Sequence, residues 1–594
     1  MNKICSLLVF SAFILNATAQ QYFGSLDSAY IENATFFNET AFAAASKIAF
    51  GSSSQTVFKS DLTIAAGTLT SPGKFVFDNT LQADINGDLQ VAQLEVKPSA
   101  AVNLLSNKNV TVSNSLTNAG TFRVQNNAAL VQTMGSNLSN TGTFYVYRDI
   151  PSGNGFRFIG SPINNHPVSG FGVTPTGPNG AQLKPIVGNC NPDSLASSSP
   201  YGNILELREN VTLIDNCSNS LWHVKSAGNL NNAQSYAMIT TGGQTLTFSG
   251  TVNNGNISLT GLTRQSGTMN TPVFGTQSRG WHMVSNPYPS PIEIDPSDLV
   301  AMGFDAQSHK FNLGSWITND PLDPIIVPVG QGFQIRKTTV GGTSSFSVNN
   351  SFRTTGAPTF YKKAPRENYL NITITENSQT DNTLIYFYPN ATDDFDPEFD
   401  ANKLMGDYKK PYIYTLIGNE KMSFNAVQEM LPGETKSVPL AFHSNVGGTF
   451  TLTFNDVATI NALNINVSLE DKLLNTFVNV TDGFVYSFAK TTGDANERFV
   501  VHFNREQEMP SAIPAIANKV SLFPNPSNSL LNVLWKESGV YALIECFDVS
   551  GKKVMEEQLD ATAHKTLDVS KLSAGVYTLK LSGKQFSTTK FIKE

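Results

Sequence analysis

The sequence is short of cysteine, tryptophan, histidine and charge, and each shortage removes a class of function. It holds 4 Cys, 4 Trp and 7 His among 594 residues, and only 15% are charged. With no Cys-x-x-Cys pair and no His-Glu-x-x-His, the common zinc spacings are absent. The histidines, His166, His223, His282, His309, His443, His502 and His564, are scattered. His223 and His282 follow tryptophans in strand-like runs, and His502 sits in another, so packing or hydrogen bonding is expected of them. No Gly-x-Ser-x-Gly elbow and no phosphate-binding loop occurs. No catalytic, cofactor-binding or metal residue is therefore assigned, and no enzymatic activity is expected. The net charge of −7 is mild for this length, and no basic patch points to nucleic acid. Beyond the N-terminus no apolar run approaches the twenty or so residues of a membrane helix.

The N-terminus itself reads as a leader, residues 1–19. Lys3 supplies the positive charge, residues 4–15 the apolar run and Ala17-Thr18-Ala19 the small-residue cleavage site. Cys5 falls inside it, so no lipoprotein cysteine follows the apolar run. Cys190, Cys217 and Cys546 remain. The first two sit in polar contexts in a chain bound for an oxidising location; the expectation is a disulfide worth ~3 kcal/mol, with two free thiols the alternative. Cys546 lies in a strand pattern and is expected in the core.

What is plentiful is glycine, at 44, and phenylalanine, at 39, with Asn, Thr and Ser throughout. This is the composition of an all-β chain, long enough for about three to five domains. Residues 20–150 read as a β-solenoid-like repeat region. Residues 20–60 are a weakly defined lead-in. From Asp61 onward short apolar pairs recur, among them Leu62 and Ile64, Leu89 and Val91, and Val110 and Val112, punctuated by Asn and Gly. Asn118-Ala119-Gly120-Thr121-Phe122-Arg123-Val124 and Asn140-Thr141-Gly142-Thr143-Phe144-Tyr145-Val146 repeat one pattern, Asn-x-Gly-Thr-Phe-x-Val. Such short strands bury a face only by stacking, as in a parallel β-helix or a related meander, with an ordinary β-sandwich carrying decorated loops the alternative.

Residues 151–352 form a β-rich middle region with an internal echo. Gly155-Phe156-Arg157-Phe158-Ile159-Gly160-Ser161-Pro162 parallels Gly280-Trp281-His282-Met283-Val284-Ser285-Asn286-Pro287, and Gly330-Gln331-Gly332-Phe333 opens a further strand. The prolines end strands and force extended or turning paths. Residues 368–504 alternate as a β-sandwich, with strands expected at 369–375, 383–388, 412–416, 436–442, 449–454, 464–469, 484–488 and 498–503. Asp393, Asp394, Asp396, Glu398 and Asp400 crowd its acidic connection. Carboxylates suit calcium, but the spacing is not that of an EF-hand, and a solvated acidic turn is the alternative. Asp320 and Asp323 are a weaker version. Residues 505–519 read as a linker.

Residues 520–594 make a small β-sandwich. Strands are expected at 533–535, 542–547, 553–555, 576–581 and 589–592, with Tyr577, Leu579 and Leu581 on the core face. Four motifs stand in order: Phe523-Pro524-Asn525-Pro526, Asp548-Val549-Ser550-Gly551-Lys552, Leu572-Ser573-Ala574-Gly575-Val576-Tyr577 and Lys590-Phe591-Ile592-Lys593. In these residues the segment resembles the type A C-terminal sorting domain of type IX secretion system cargo of Bacteroidota. The Trp281-to-Ser290 segment and the sandwich also resemble regions of large surface proteins from such bacteria. The resemblance implies partners in the secretion translocon and a sortase, removal of the tail by a cut near the linker, and attachment of the body to lipopolysaccharide. It places the body outside the cell or on the outer-membrane surface after periplasmic transit.

Three functions fit. The first is a non-catalytic surface protein, adhesive or contact-forming. The second is a carbohydrate-binding or carbohydrate-degrading protein, with Trp222, Trp281 and Trp316 as platforms. The third is a structural subunit of a surface layer or filament.

Overall fold

The computed structural model describes residues 8–10, 13–15, 21–23, 29–36, 39–42, 48–150, 155–171, 204–207, 222–225, 228–240, 245–271, 275–312, 315–356, 368–405, 410–491, 496–506, 520–536, 538–584 and 586–594. Among the described residues strands hold 59% and helices 4%, so the fold is all-β. It divides into two units, Met1–Arg505 and Glu506–Glu594. Cys190 and Cys217 lie outside the described residues.

The first unit begins as a parallel solenoid whose partners sit about twenty residues apart, as where Phe75 faces Leu94 and Thr121 faces Thr143. Each coil contributes to three strand stacks. One runs through 21–23, 40–42, 62–64, 82–85, 101–104, 121–124 and 143–146. Stacking starts before Asp61: Ala29–Phe36 and Ile48–Phe58 pair as full coils, so the lead-in belongs to the repeat. Within the stretch read as a leader, Leu8–Phe10 and Phe13–Leu15 pair with Ala29–Phe36.

Every second side chain of a coil points inward and meets its own kind above and below. Ala83, Val102, Phe122 and Phe144 form one fully buried column, and Ile85, Leu104, Val124 and Val146 another. Phe36, Phe58 and Phe77 stack with centroids 5.6 and 5.3 Å apart. The Asn-x-Gly-Thr-Phe-x-Val segments lie directly one on the other. Their glycines turn a corner where the backbones nearly touch: a Cβ on Gly142 would overlap the Gly120 carbonyl, and one on Gly120 the Ala100 carbonyl. Their asparagines form a ladder, Asn118 Nδ2 donating to Asn140 Oδ1 at 2.9 Å.

The solenoid core continues past Ile150 into Ile159, Ile163, Tyr236, Phe248 and Val329. The expected boundary at 150/151 thus crosses a shared core. The last coil strand, Thr143–Asp149, pairs antiparallel with Thr245–Gly250. The middle region builds an eight-stranded sheet that includes Gly155–Ile159, Trp281–Ser285, His309–Asn312 and Gly332–Arg336. Its echoed segments meet, because a Cβ on Gly160 would strike Ser285. Asn286 is wholly buried; its amide donates to the Ser290 and Val327 carbonyls (2.7 and 2.9 Å) and its Oδ1 accepts from Tyr288 N–H (2.9 Å). The Asn-Pro-Tyr-Pro-Ser segment is therefore a structural turn.

From Tyr369 to Arg505 an eleven-stranded sheet folds back on itself. Phe442 and Phe499 from one part meet Phe488 from another at 5.0 and 4.9 Å, closing a sandwich-like core. It contains Glu420–Gln428 and Thr476–Val480, two strands the sequence pattern did not single out. No helix among the described residues is long and apolar enough to cross a membrane.

Candidate functional site

The second unit is a sandwich of two sheets. One holds Val520–Phe523, Leu530–Trp535 and His564–Asp568; the other holds Lys553–Gln558, Tyr541–Phe547, Gly575–Gly583 and Phe586–Lys593. Trp535, Ile544, Cys546, Leu579, Leu581 and Phe591 fill the space between them. Cys546 is a buried free thiol, and burial pushes its pKa up to about 11, so it is inert at neutral pH. Tyr577, Leu579 and Leu581 face the core as their alternation requires, while Val576 is exposed.

Strand register brings the four motifs to one end of this unit. Phe547 faces Thr578, which faces Lys590, and Gly575 faces Lys593. The Asp548–Lys552 turn, the start of the Gly575 strand and the chain's last residues therefore share one sheet end. The Phe-Pro-Asn-Pro segment is fastened to the same place. Asn525 Oδ1 accepts from Ile592 N–H at 2.8 Å, Ser527 N–H donates to the Ile592 carbonyl at 2.9 Å, and Glu594 N–H donates back to Ser527 at 3.1 Å. Asp548 Oδ1 accepts from the Ser550 hydroxyl (2.6 Å) and from Ser550 and Lys552 N–H, which hold its carboxyl below the ordinary range and the turn rigid. The Tyr577 hydroxyl donates to the Ser573 carbonyl at 2.8 Å, pinning the turn before its strand. What this frame presents outward is apolar: Phe523, Val549, Val576 and Ile592 are exposed, Val549 by 84%. Exposed apolar side chains gathered at one end of a small domain suit a protein partner.

A second arrangement lies inside the first unit. A cleft of about 320 Å³ is lined by residues including Trp316, Thr318, Thr380, Asp381, Lys403 and Tyr412. Lys403 Nζ pairs with Asp381 Oδ2 at 2.6 Å and donates to the Asn382 carbonyl at 2.8 Å. Ser423 Oγ stands 3.2 Å from Thr318 Oγ1, which lies 3.1 Å from His309 Nδ1. His309 Nε2 meets Gln307 Oε1 at 2.9 Å, and the Gln307 amide donates to Asp305 and Asn402. Since Gln307 Oε1 only accepts, His309 carries its proton on Nε2. Complete burial pulls His309 down to about 3, so it stays neutral.

The remaining expected residues have structural settings. Trp281 is buried beside the Arg336 guanidinium; Trp222 lies in a strand, its side chain outside the described residues. His282 bonds the Thr263 carbonyl at 2.7 Å, and burial lowers it to about 4. His502 lies between Ser437 Oγ (2.8 Å) and Glu470 (2.7 Å). The acidic cluster points apart: Asp393 pairs with Lys436, Asp396 caps Thr392, and Asp400 accepts from Asp396 and Ala426 N–H. Asp320 accepts from Leu322 N–H at 3.0 Å. Among the described residues no group of three or more His, Cys, Asp or Glu stands together to hold a metal.

Residues 74–298 and 300–503 match the family described as Domain of unknown function (DUF8693). The chain belongs to this family. Residues 521–594 match the Secretion system C-terminal sorting domain, the segment whose motifs converge above. The protein is a type IX secretion system cargo protein of Bacteroidota, exported to the cell surface or the extracellular space, and its tail engages that machinery. No curated protein matches the chain.

Proposed function

We propose that this cargo protein is a non-catalytic, contact-forming surface protein whose body, residues 20–504, is adhesive outside the outer membrane. The observation that carries the reading is the division of the chain. The tail gathers its motifs and exposed apolar side chains at one end, while the body ties its polar groups to one another. His282, His309 and His502 all have partners within the fold, and His309 is held neutral, which suits packing rather than proton transfer. Residues 1–19 act as the leader for the first membrane. The machinery reads the motif end of the tail, a sortase cuts in or near 505–519, and the body is joined to lipopolysaccharide.

Deletion of residues 513–594, followed by fractionation, tests delivery; the truncated chain should collect in the periplasm. Attachment of cells carrying and lacking the protein to host or abiotic surfaces tests the role. Equal attachment refutes adhesion, and regular arrays on the surface would favour a layer subunit. A second reading, carbohydrate binding, is favoured by the cleft at Trp316.

A further inference from the structure

We propose that the cleft between Trp316 and the Lys403–Asp381 pair binds one sugar ring of a glycan. This rests on the contact reading only in taking the ligand from outside the cell. The choice of ligand follows from the lining. The wall is mostly polar: Thr373 and Thr380 line it beside the paired Asp381 and Lys403, and Lys410 lines it too. An apolar occupant would strip water from these groups without replacing its hydrogen bonds. An inorganic anion would meet Lys403 already paired with Asp381 at 2.6 Å, with a carboxylate beside it. A polyhydroxylated ring offers many donors and acceptors and an apolar C–H face, which matches hydroxyls together with an indole.

The site is also braced. Trp316 is fixed by edge contacts with Phe158 (5.5 Å, 66°) and His309 (6.3 Å, 90°). Thr318 is oriented from behind by His309, itself locked by Gln307. The volume of about 320 Å³ lies at the small end of the roughly 300–1,000 Å³ of ligand pockets, enough for one ring and not for a folded peptide.

The test uses the purified full chain with neutral and uronic-acid oligosaccharides, read by saturation-transfer NMR and titration. Trp316→Ala should weaken binding about tenfold through loss of stacking. Thr380→Trp, at an exposed rim position, should abolish it by filling the cleft while leaving the melting temperature unchanged. The neutral series should bind in preference to the uronic-acid series, because Lys403 is already paired with Asp381; binding of the uronic-acid series alone would refute this choice of ligand. Absence of saccharide binding, or binding that survives Thr380→Trp, overturns the proposal. A chain that binds no saccharide yet still supports cell attachment sinks the cleft assignment alone. One that binds saccharide through the cleft without affecting attachment sinks the adhesive role alone.

Discussion

Truncating Phe591 and truncating its neighbour Ile592 should separate folding of the tail from recognition of it. Phe591 is wholly buried and stacks on Tyr577 with ring centroids 5.5 Å apart. Removing such a ring costs about 3–5 kcal/mol. A unit of this size has roughly 4–11 kcal/mol in total, at about 0.05–0.15 kcal/mol per residue. The unfolded fraction should therefore rise about a hundredfold to several thousandfold, since each 1.4 kcal/mol or so is a factor of ten. Ile592 is 47% exposed and its backbone, not its side chain, holds Asn525 and Ser527. Ile592→Ala should cost about 1 kcal/mol or less. Limited proteolysis and immunoblots of periplasm, cell surface and medium give the two readouts. Phe591→Ala should make the tail protease-sensitive and stop export. Ile592→Ala combined with Phe523→Ala and Val549→Ala should leave the tail resistant yet impair export. A Phe591→Ala tail as resistant as the parent would refute the core assignment. Normal export of the resistant triple variant would refute recognition through the motif end.

Four other outcomes follow from the body. Gly142→Val should lower the denaturation midpoint by about 3 kcal/mol or more in stability, because its side chain must displace the Gly120 carbonyl. Arg498→Met should cost about 3–5 kcal/mol in chemical denaturation, since it leaves buried Asp471 without the guanidinium that bonds both its oxygens at 2.8 and 2.6 Å. Although burial opposes ionisation of Asp471, bonds from Arg498 and Tyr486 hold its pKa below the ordinary 3.8. Its contribution is thus present above that value and lost as pH falls through the lower folded one, and Asp471→Asn should flatten the acid limb of a melting-temperature profile. Burial instead raises Asp400 to about 7. Its contribution is therefore full below 3.8 and lost as pH rises through 7, so melting temperature should carry a downward slope there that Asp400→Asn removes.

The sequence shows most where one physical demand repeats. Asn118-x-Gly120 and Asn140-x-Gly142 are alike because both corners need a missing Cβ and an asparagine in the ladder. Tyr577, Leu579 and Leu581 alternate because one face of their sheet is covered and the other open. Where a strand departs from that rule it is hard to read. Glu420–Gln428 is buried on both sides over Met422 to Val427, with Ser423 and Asn425 bonded to Thr318 and Thr415 rather than to water, so no alternation marks it. Thr476–Val480 is an edge strand with Phe477 exposed, which inverts the pattern. Of the cleft only Trp316 stood out, as one of three tryptophans, because the other walls come from segments around 380, 403 and 423 that only the fold brings together.

The solenoid's open end explains why the body is one unit. A stack of parallel strands ends in a row of unpaired N–H and C=O groups, which invites further chains to add. Here each stack of the last coil meets the middle region. Thr245–Gly250 pairs with Thr143–Asp149 on the first. On the second, Leu130 N–H donates to the Pro289 carbonyl at 2.9 Å and the Arg353 guanidinium donates to the Leu130 carbonyl. On the third, the Asn140 amide donates to Thr251 Oγ1 at 2.8 Å. Pro289 belongs to the buried turn opened by Asn286, so the same turn that shapes the middle core also closes the solenoid. This closure is the physical reason the core runs through Ile150 without a break.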